Sequence, residues 1–186
     1  MPSPRTTLVF ALLLSLLAGC QTGGVTLPPL PAWVPVNHPD IPAVVVANEA
    51  RRLVPGIAVS YSDATYTLVA KEWLDAYLTW TWQAAKAAGV DYTAESFDCE
   101  DFALGFHFFA SRAAGKAKLK ASPLIGRIVV AQSPTTRHEL IVCATTSGIF
   151  VVEPQPDAGP FRTWALGAYP HQILSATFGD FNPNQP

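Results

Sequence analysis

Apolar positions recur first at helical spacing along this chain and only later at the two-residue spacing of strands. A continuous apolar run comes before either, Leu8 to Ala18, interrupted only by Ser15 and preceded by Arg5. Its length suits a signal-peptide core, whereas a membrane-spanning helix needs about 20 residues. Pro28, Pro29, Pro31, Pro35, Pro39 and Pro42 follow, and such density favours an extended, semi-rigid spacer. Asp40 is placed to cap a first helix carrying Ala43, Val44, Ala47, Ala50 and Arg51, stopped by Pro55-Gly56. A short strand is expected around Tyr66 to Val69. The second helix runs from Ala70 to Ala88, with Trp73, Tyr77, Trp80 and Ala84 on one face and Gly89 as terminator. That aromatic stripe reads as core. The third helix starts at Asp98, ends before Gly115 and gathers Phe102, Phe106, Phe109 and Ala113 on its apolar face. Strands are then expected at Ile128 to Ala131, Leu140 to Ala144, Ile149 to Val152 and Ile173 to Phe178. Helices followed by an antiparallel meander predict an α+β domain, with helices packed on an antiparallel sheet.

The organisation predicted is a signal peptide over 1–19, a proline-rich tether over 20–39, one domain over 40–180 and a tail over 181–186. Of 186 residues, 49% are hydrophobic and 14% charged, which favours a packed core over disorder. A net charge of −2 provides no basic field for nucleic acid. The three cysteines, Cys20, Cys99 and Cys143, are too few for a disulfide-stapled miniature, and no CxxC pair suggests structural zinc. Leu17-Ala18-Gly19-Cys20 resembles the bacterial lipobox. That resemblance implies cleavage before Cys20, acylation of its thiol by a fatty acid such as palmitate, and a lipid-anchored place in the cell envelope. With Gln21 rather than Asp next, it implies the outer membrane of a Gram-negative cell.

The chemistry centres on Phe97-Asp98-Cys99-Glu100-Asp101-Phe102-Ala103. Here a lone cysteine occupies the first turn of a helix, where unpaired amides and the positive end of the macrodipole favour thiolate over thiol. His138 opens a strand. If Thr146 and Ser147 form the following turn, paired residue numbers sum to about 293, so Leu140 faces Glu153 and His138 faces Gln155. His138 and Glu153 then lie diagonally on one face, where a carboxylate can orient an imidazole. Three acids, Asp98, Glu100 and Asp101, surround the sulfur and oppose its ionisation. Either Asp98 caps the helix and Asp101 reaches back toward its amide, or Glu100 or Asp101, with Glu139, helps to hold a hard cation such as calcium. His107, two turns along the helix, and the proline-flanked His38 and His171 do not compete as bases. Because His138 and Cys143 are an odd number of residues apart on one strand, they point to opposite faces, and two free thiols are expected rather than a Cys99–Cys143 bridge.

Together, Asp98-Cys99-Glu100-Asp101-Phe102-Ala103, the later strand histidine and Val152-Glu153-Pro154-Gln155 resemble the papain-like cysteine peptidase domain at the C-terminus of certain fungal agglutinins. The same block is similar to the bacterial transglutaminase-like cysteine peptidases. The resemblance implies a papain-like or transglutaminase-like fold with Cys99 as nucleophile, His138 as general base and Glu153 as orienting acid. It also implies a divalent cation, often calcium, near the site; no other cofactor is required. Glu139 departs from the alanine that commonly follows the family's histidine. For the oxyanion, the Cys99 amide is one candidate donor and Gln83 another. The activity expected is hydrolysis of an amide bond in a protein or a peptidoglycan peptide. The alternative is a catalytically silent envelope lipoprotein that uses the fold to bind a partner or glycan.

Overall fold

The computed structural model describes residues 27–89, 99–155 and 163–179. The expected signal peptide, Cys20 and the tail lie outside the described residues, as does Asp98. The described elements are β1 (Ile41–Pro42), α1 (Ala43–Leu53), β2 (Ala58–Tyr61), β3 (Thr65–Thr67), α2 (Lys71–Ala87), α3 (Cys99–Lys116), β4 (Ser122–Pro123), β5 (Ile125–Ala131), β6 (Arg137–Thr145), β7 (Gly148–Val152), β8 (Thr163–Ala165) and β9 (Gln172–Phe178). The domain is α+β. Six strands form a sheet in the order β2-β9-β5-β6-β7-β8, and β1, β3 and β4 form a smaller one.

The meander β5–β6–β7–β8 is antiparallel throughout, β9 lies antiparallel against β5, and β2 adds to β9 in parallel. Both faces of the large sheet are covered. Leu140, Val142 and Ala144 of β6 join Ile128, Val130 and Val151 in a core closed by Ala43, Val46 and Ala50 of α1. Ile141 and Cys143 join Ile125 and Val152 in a second core closed by α2 and α3. Burial on both faces explains why β6 reads as a continuous apolar run instead of an alternating one. Between β5 and β9 the backbones approach so closely that a Cβ on Gly126 would collide with the Thr177 carbonyl oxygen.

The second core is aromatic. Trp73 and Tyr77 stack with centroids 4.7 Å apart, the edge of Phe106 meets Tyr77 at 4.7 Å, and the Tyr77 hydroxyl donates to the Phe106 carbonyl. The stripe on α2 is therefore core, as its spacing predicts, and this packing fixes α3 against α2. Gly89, at φ 64°, supplies the left-handed turn after α2 that L-residues rarely adopt.

Several expectations are corrected. Asp40 does not cap α1: the N-cap is Pro42, with no side-chain hydrogen bond, and Asp40 Oδ1 accepts from Thr67 Oγ1 at 2.7 Å. The third helix runs through Gly115 to Lys116. The strand expected at Tyr66 to Val69 stops at Thr67, and Val69 makes an isolated bridge to Thr145. The second half of the proline-rich stretch is a packed strap, not a spacer. Trp33 is buried against Trp73 with centroids 4.5 Å apart, and Trp80 Nε1 donates to the Pro28 carbonyl at 2.8 Å. Fixed φ angles make such a strap cheap to order, and Trp33 holds it together with Leu30, Val34 and Val36, which pack on the same core. Among the described residues no helix is long and apolar enough to cross a membrane.

Candidate active site

Cys99 is the first residue of α3, with Glu100 and Asp101 in the same turn. Its own amide lies among those that find no carbonyl within the helix. The sulfur rests against the start of β6, where the Glu139 N–H donates to Cys99 Sγ at 3.4 Å. The pairs Ile141↔Val152, Val142↔Val151, Cys143↔Phe150 and Thr145↔Gly148 all sum to 293, the register predicted from a Thr146-Ser147 turn. Extended past the end of β7, that register brings Glu153 beside His138. Glu153 Oε2 lies 2.8 Å from His138 Nε2, and Glu153 Oε1 accepts the Gln155 N–H at 3.2 Å.

His138 is buried, at 7% exposure. Burial alone disfavours the charged ring, but it is outweighed by hydrogen bonds to Cys99 and Glu153 and by the negative charge of both, so the imidazole pKa rises to about 9. With Nε2 on the carboxylate, Nδ1 is the nitrogen left to face sulfur. The structure thus brings Cys99, His138 and Glu153 together in one hydrogen-bonded series. At neutral pH the imidazolium faces the sulfur as a proton donor and counter-charge, which suits a thiolate nucleophile.

Gln83 is not brought to this series; it is exposed on α2. Glu139 is held elsewhere, its Oε1 receiving Arg127 Nη1 at 2.7 Å. Glu100 and Asp101 offer two carboxylates, whereas calcium takes six to eight oxygens. Among the described residues no group of three or more His, Cys, Asp or Glu side chains is placed to hold a metal ion. His107 is buried within α3. Cys99 and Cys143 are both free thiols. Burial drives the Cys143 thiol pKa far up, more than the charge of Lys71 lowers it.

Two neighbours of the site escape the sequence patterns. Tyr169 follows a single 3₁₀ turn, and burial together with the Glu153 charge pushes its hydroxyl up to about 12. Arg127 lies on β5 and reaches Glu139 across the sheet. Neither belongs to a spaced motif: strand pairing brings Arg127 near, and the turn between β8 and β9 brings Tyr169.

No protein-family model matches the sequence, and no curated protein matches it. Among solved structures, PSL1a in its E64 complex is similar at 19% identity with a TM-score of 0.55, covering 75% of this chain and 50% of that one. The Polyporus squamosus lectin bound to the epitope Neu5Aca2-6Galb1-4GlcNAc is similar at 17% identity with a TM-score of 0.57, covering 75% of this chain and 49% of that one. The chain thus spans about half the length of these structures, and at such identity the likeness is one of fold, shared with a fungal lectin.

Proposed function

We propose that this chain is a papain-like cysteine hydrolase that cleaves an amide bond through Cys99, His138 and Glu153. The observation that carries the reading is the series Glu153–His138–Cys99, with Glu153 at 2.8 Å from the ring and the Glu139 amide on the sulfur. The Cys99 thiolate attacks the carbonyl carbon, and a C–S bond forms as the carbonyl π pair moves to oxygen. The Cys99 amide lies on the helix end that favours that oxyanion. When the tetrahedral adduct collapses, the C–N bond breaks and the His138 proton goes to the departing amine. Neutral His138 then takes a proton from water, the resulting hydroxide cleaves the thioester, and acid and thiolate are released beside a recharged imidazolium. Glu153 orients the ring throughout and favours its charged form.

The same proposal places the domain on the bacterial envelope, anchored through lipid on Cys20, with a protein or a peptidoglycan peptide as substrate and calcium as an accessory ion. Leu17-Ala18-Gly19-Cys20 supports the anchor. A second reading, a silent binding protein, draws support from the lectin neighbour that carries a glycan. Alkylation by iodoacetamide separates the two. The detergent-solubilised chain is labelled between about pH 5 and 9 and mapped by peptide mass. Rapid labelling of Cys99 below pH 7, lost in His138→Ala, is the expected outcome. Labelling that follows an ordinary thiol, near pH 8.5, sinks the hydrolase and leaves the binding protein.

A further inference from the structure

Arg127 and Glu139 form an ion pair, with Nη1 and Oε1 2.7 Å apart and side chains 25% and 11% exposed. Arg127 stands opposite Ile141 and Glu139 opposite Val129. The two side chains therefore meet on the diagonal between neighbouring strands, within reach of long side chains. They share a sheet face with Ile141, which packs in the core closed by α2 and α3. The ion pair thus lies on the face that carries the nucleophile's helix.

Its positive end is firmly placed. β5 is paired on both sides, and Arg127 itself lies between Ile141 of β6 and Thr177 of β9. Its negative end belongs to the site. Glu139 stands beyond the last pair of β6 with β7, and its N–H donates to Cys99 Sγ at 3.4 Å. One residue therefore brings two opposed groups beside the nucleophile. The N–H dipole favours negative charge on sulfur, and the carboxylate opposes it. That carboxylate is largely buried, where water screens weakly, so its charge weighs on the site unless it is matched. Other acids add to the load. Among the described residues, Glu100 and Asp101 share the first turn of α3 with Cys99, and Glu153 lies on His138. Against these, His138 answers Glu153 and the sulfur, while Arg127 answers Glu139 with a charge that no ordinary pH removes.

Resting on the hydrolase reading, we infer that Arg127 is a positioning residue of this site: it turns the Glu139 carboxylate toward β5 and cancels its charge, leaving the N–H as what Glu139 offers the Cys99 sulfur. The pair as a whole is neutral. Either half removed alone therefore tilts the site in its own direction.

The test is the pH profile of Cys99 alkylation by iodoacetamide in the detergent-solubilised full chain, mapped by peptide mass. Arg127→Gln should raise the pH of half-maximal labelling by about one unit, and Glu139→Gln, which leaves the arginine charge uncompensated, should lower it by about as much. The double variant should return close to the wild type, and Arg127→Lys, which keeps the charge, should stay near it. A pair that merely clamps β5 to β6 gives another pattern. Both single variants then move the midpoint the same way, and the double variant moves it at least as far. That pattern, a midpoint indifferent to both changes, or an Arg127→Lys midpoint as high as that of Arg127→Gln overturns the inference while the wild type still labels rapidly below pH 7. If Arg127→Gln does not fold, Glu139→Gln decides: a lowered midpoint sustains the inference, and an unchanged or raised one overturns it. Wild-type labelling that follows an ordinary thiol overturns the hydrolase reading, and this inference with it.

Discussion

Glu153→Gln keeps the shape of the side chain and removes its charge, so it isolates what the carboxylate does for His138. Glu153 serves two donors, with Oε2 at 2.8 Å from His138 Nε2 and Oε1 receiving the Gln155 amide at 3.2 Å. A glutamine has one oxygen for the two, so one donor faces another N–H whichever way the amide turns. The larger effect is electrostatic. Burial opposes the charged ring, and it is overcome by the hydrogen bonds and charges of Cys99 and Glu153, which raise the imidazole from 6.5 to about 9. A rise of this size is worth on the order of 3 kcal/mol, at about 1.4 kcal/mol per unit.

The sign of the pH dependence follows. The folded pKa lies above the unfolded one, so this stabilisation is complete below about pH 6.5 and is lost as the pH climbs to about 9. Among the described residues Glu153 and Cys99 are the partners that favour the charged ring, and burial works against both. Removing it should return the ring close to its ordinary value and leave the variant with little pH dependence in that window. Urea unfolding at about pH 6, 7.5 and 9.5 checks this. Across the series the wild type should lose about 2 kcal/mol more than Glu153→Gln. His38 and His171, both exposed, cancel in the comparison. Parallel curves would refute the claim that Glu153 holds His138 charged.

Three further outcomes are expected. Cys143 is fully buried, so native alkylation should add one label at Cys99 and a second at Cys143 only in denaturant; an intact mass showing a Cys99–Cys143 bridge would contradict the site. Trp33→Ala should cost about 3 kcal/mol, seen as a lower urea midpoint, because the ring is buried on Trp73. A loss under about 1 kcal/mol would show that the strap is not held by this anchor. Cys20→Ser should abolish acylation and move the protein out of the membrane fraction, while unchanged detergent partitioning would dispose of the lipid anchor.

What was legible in the sequence had local causes. The two-residue turn at Thr146-Ser147 sets Thr145 opposite Gly148, and every later pair follows from it, because slipping by one would turn β6 inside out. Gly89 ended α2 for an equally local reason. The elements that went unread depend on distant partners. β2 is largely exposed and exists through parallel pairing with β9, more than a hundred residues away. β8 is a three-residue edge strand with no buried residue to give it a period. Asp40 had the chemistry of a cap, yet Thr67 competes for the same oxygen and takes it. Proline density read as spacer because composition weighs six prolines above one tryptophan, whereas in the fold Trp33 decides.

The site shows the same division at closer range. Spacing alone was enough to set His138 diagonally opposite Glu153; what it did not yield was why sulfur meets that end of β6. Pro154 supplies a reason. A proline has no N–H to give a ladder, so it suits the place where a strand stops, and β7 ends at Val152, paired with Ile141. Glu139 lies two residues beyond that last pair, where its N–H no longer faces β7 and donates to Cys99 Sγ instead. Glu153 is left at the same opening, turned by its bond to the Gln155 amide toward His138. Pro154 therefore suits the place where this ladder has ended, beyond which the Glu139 N–H is given to the Cys99 thiol.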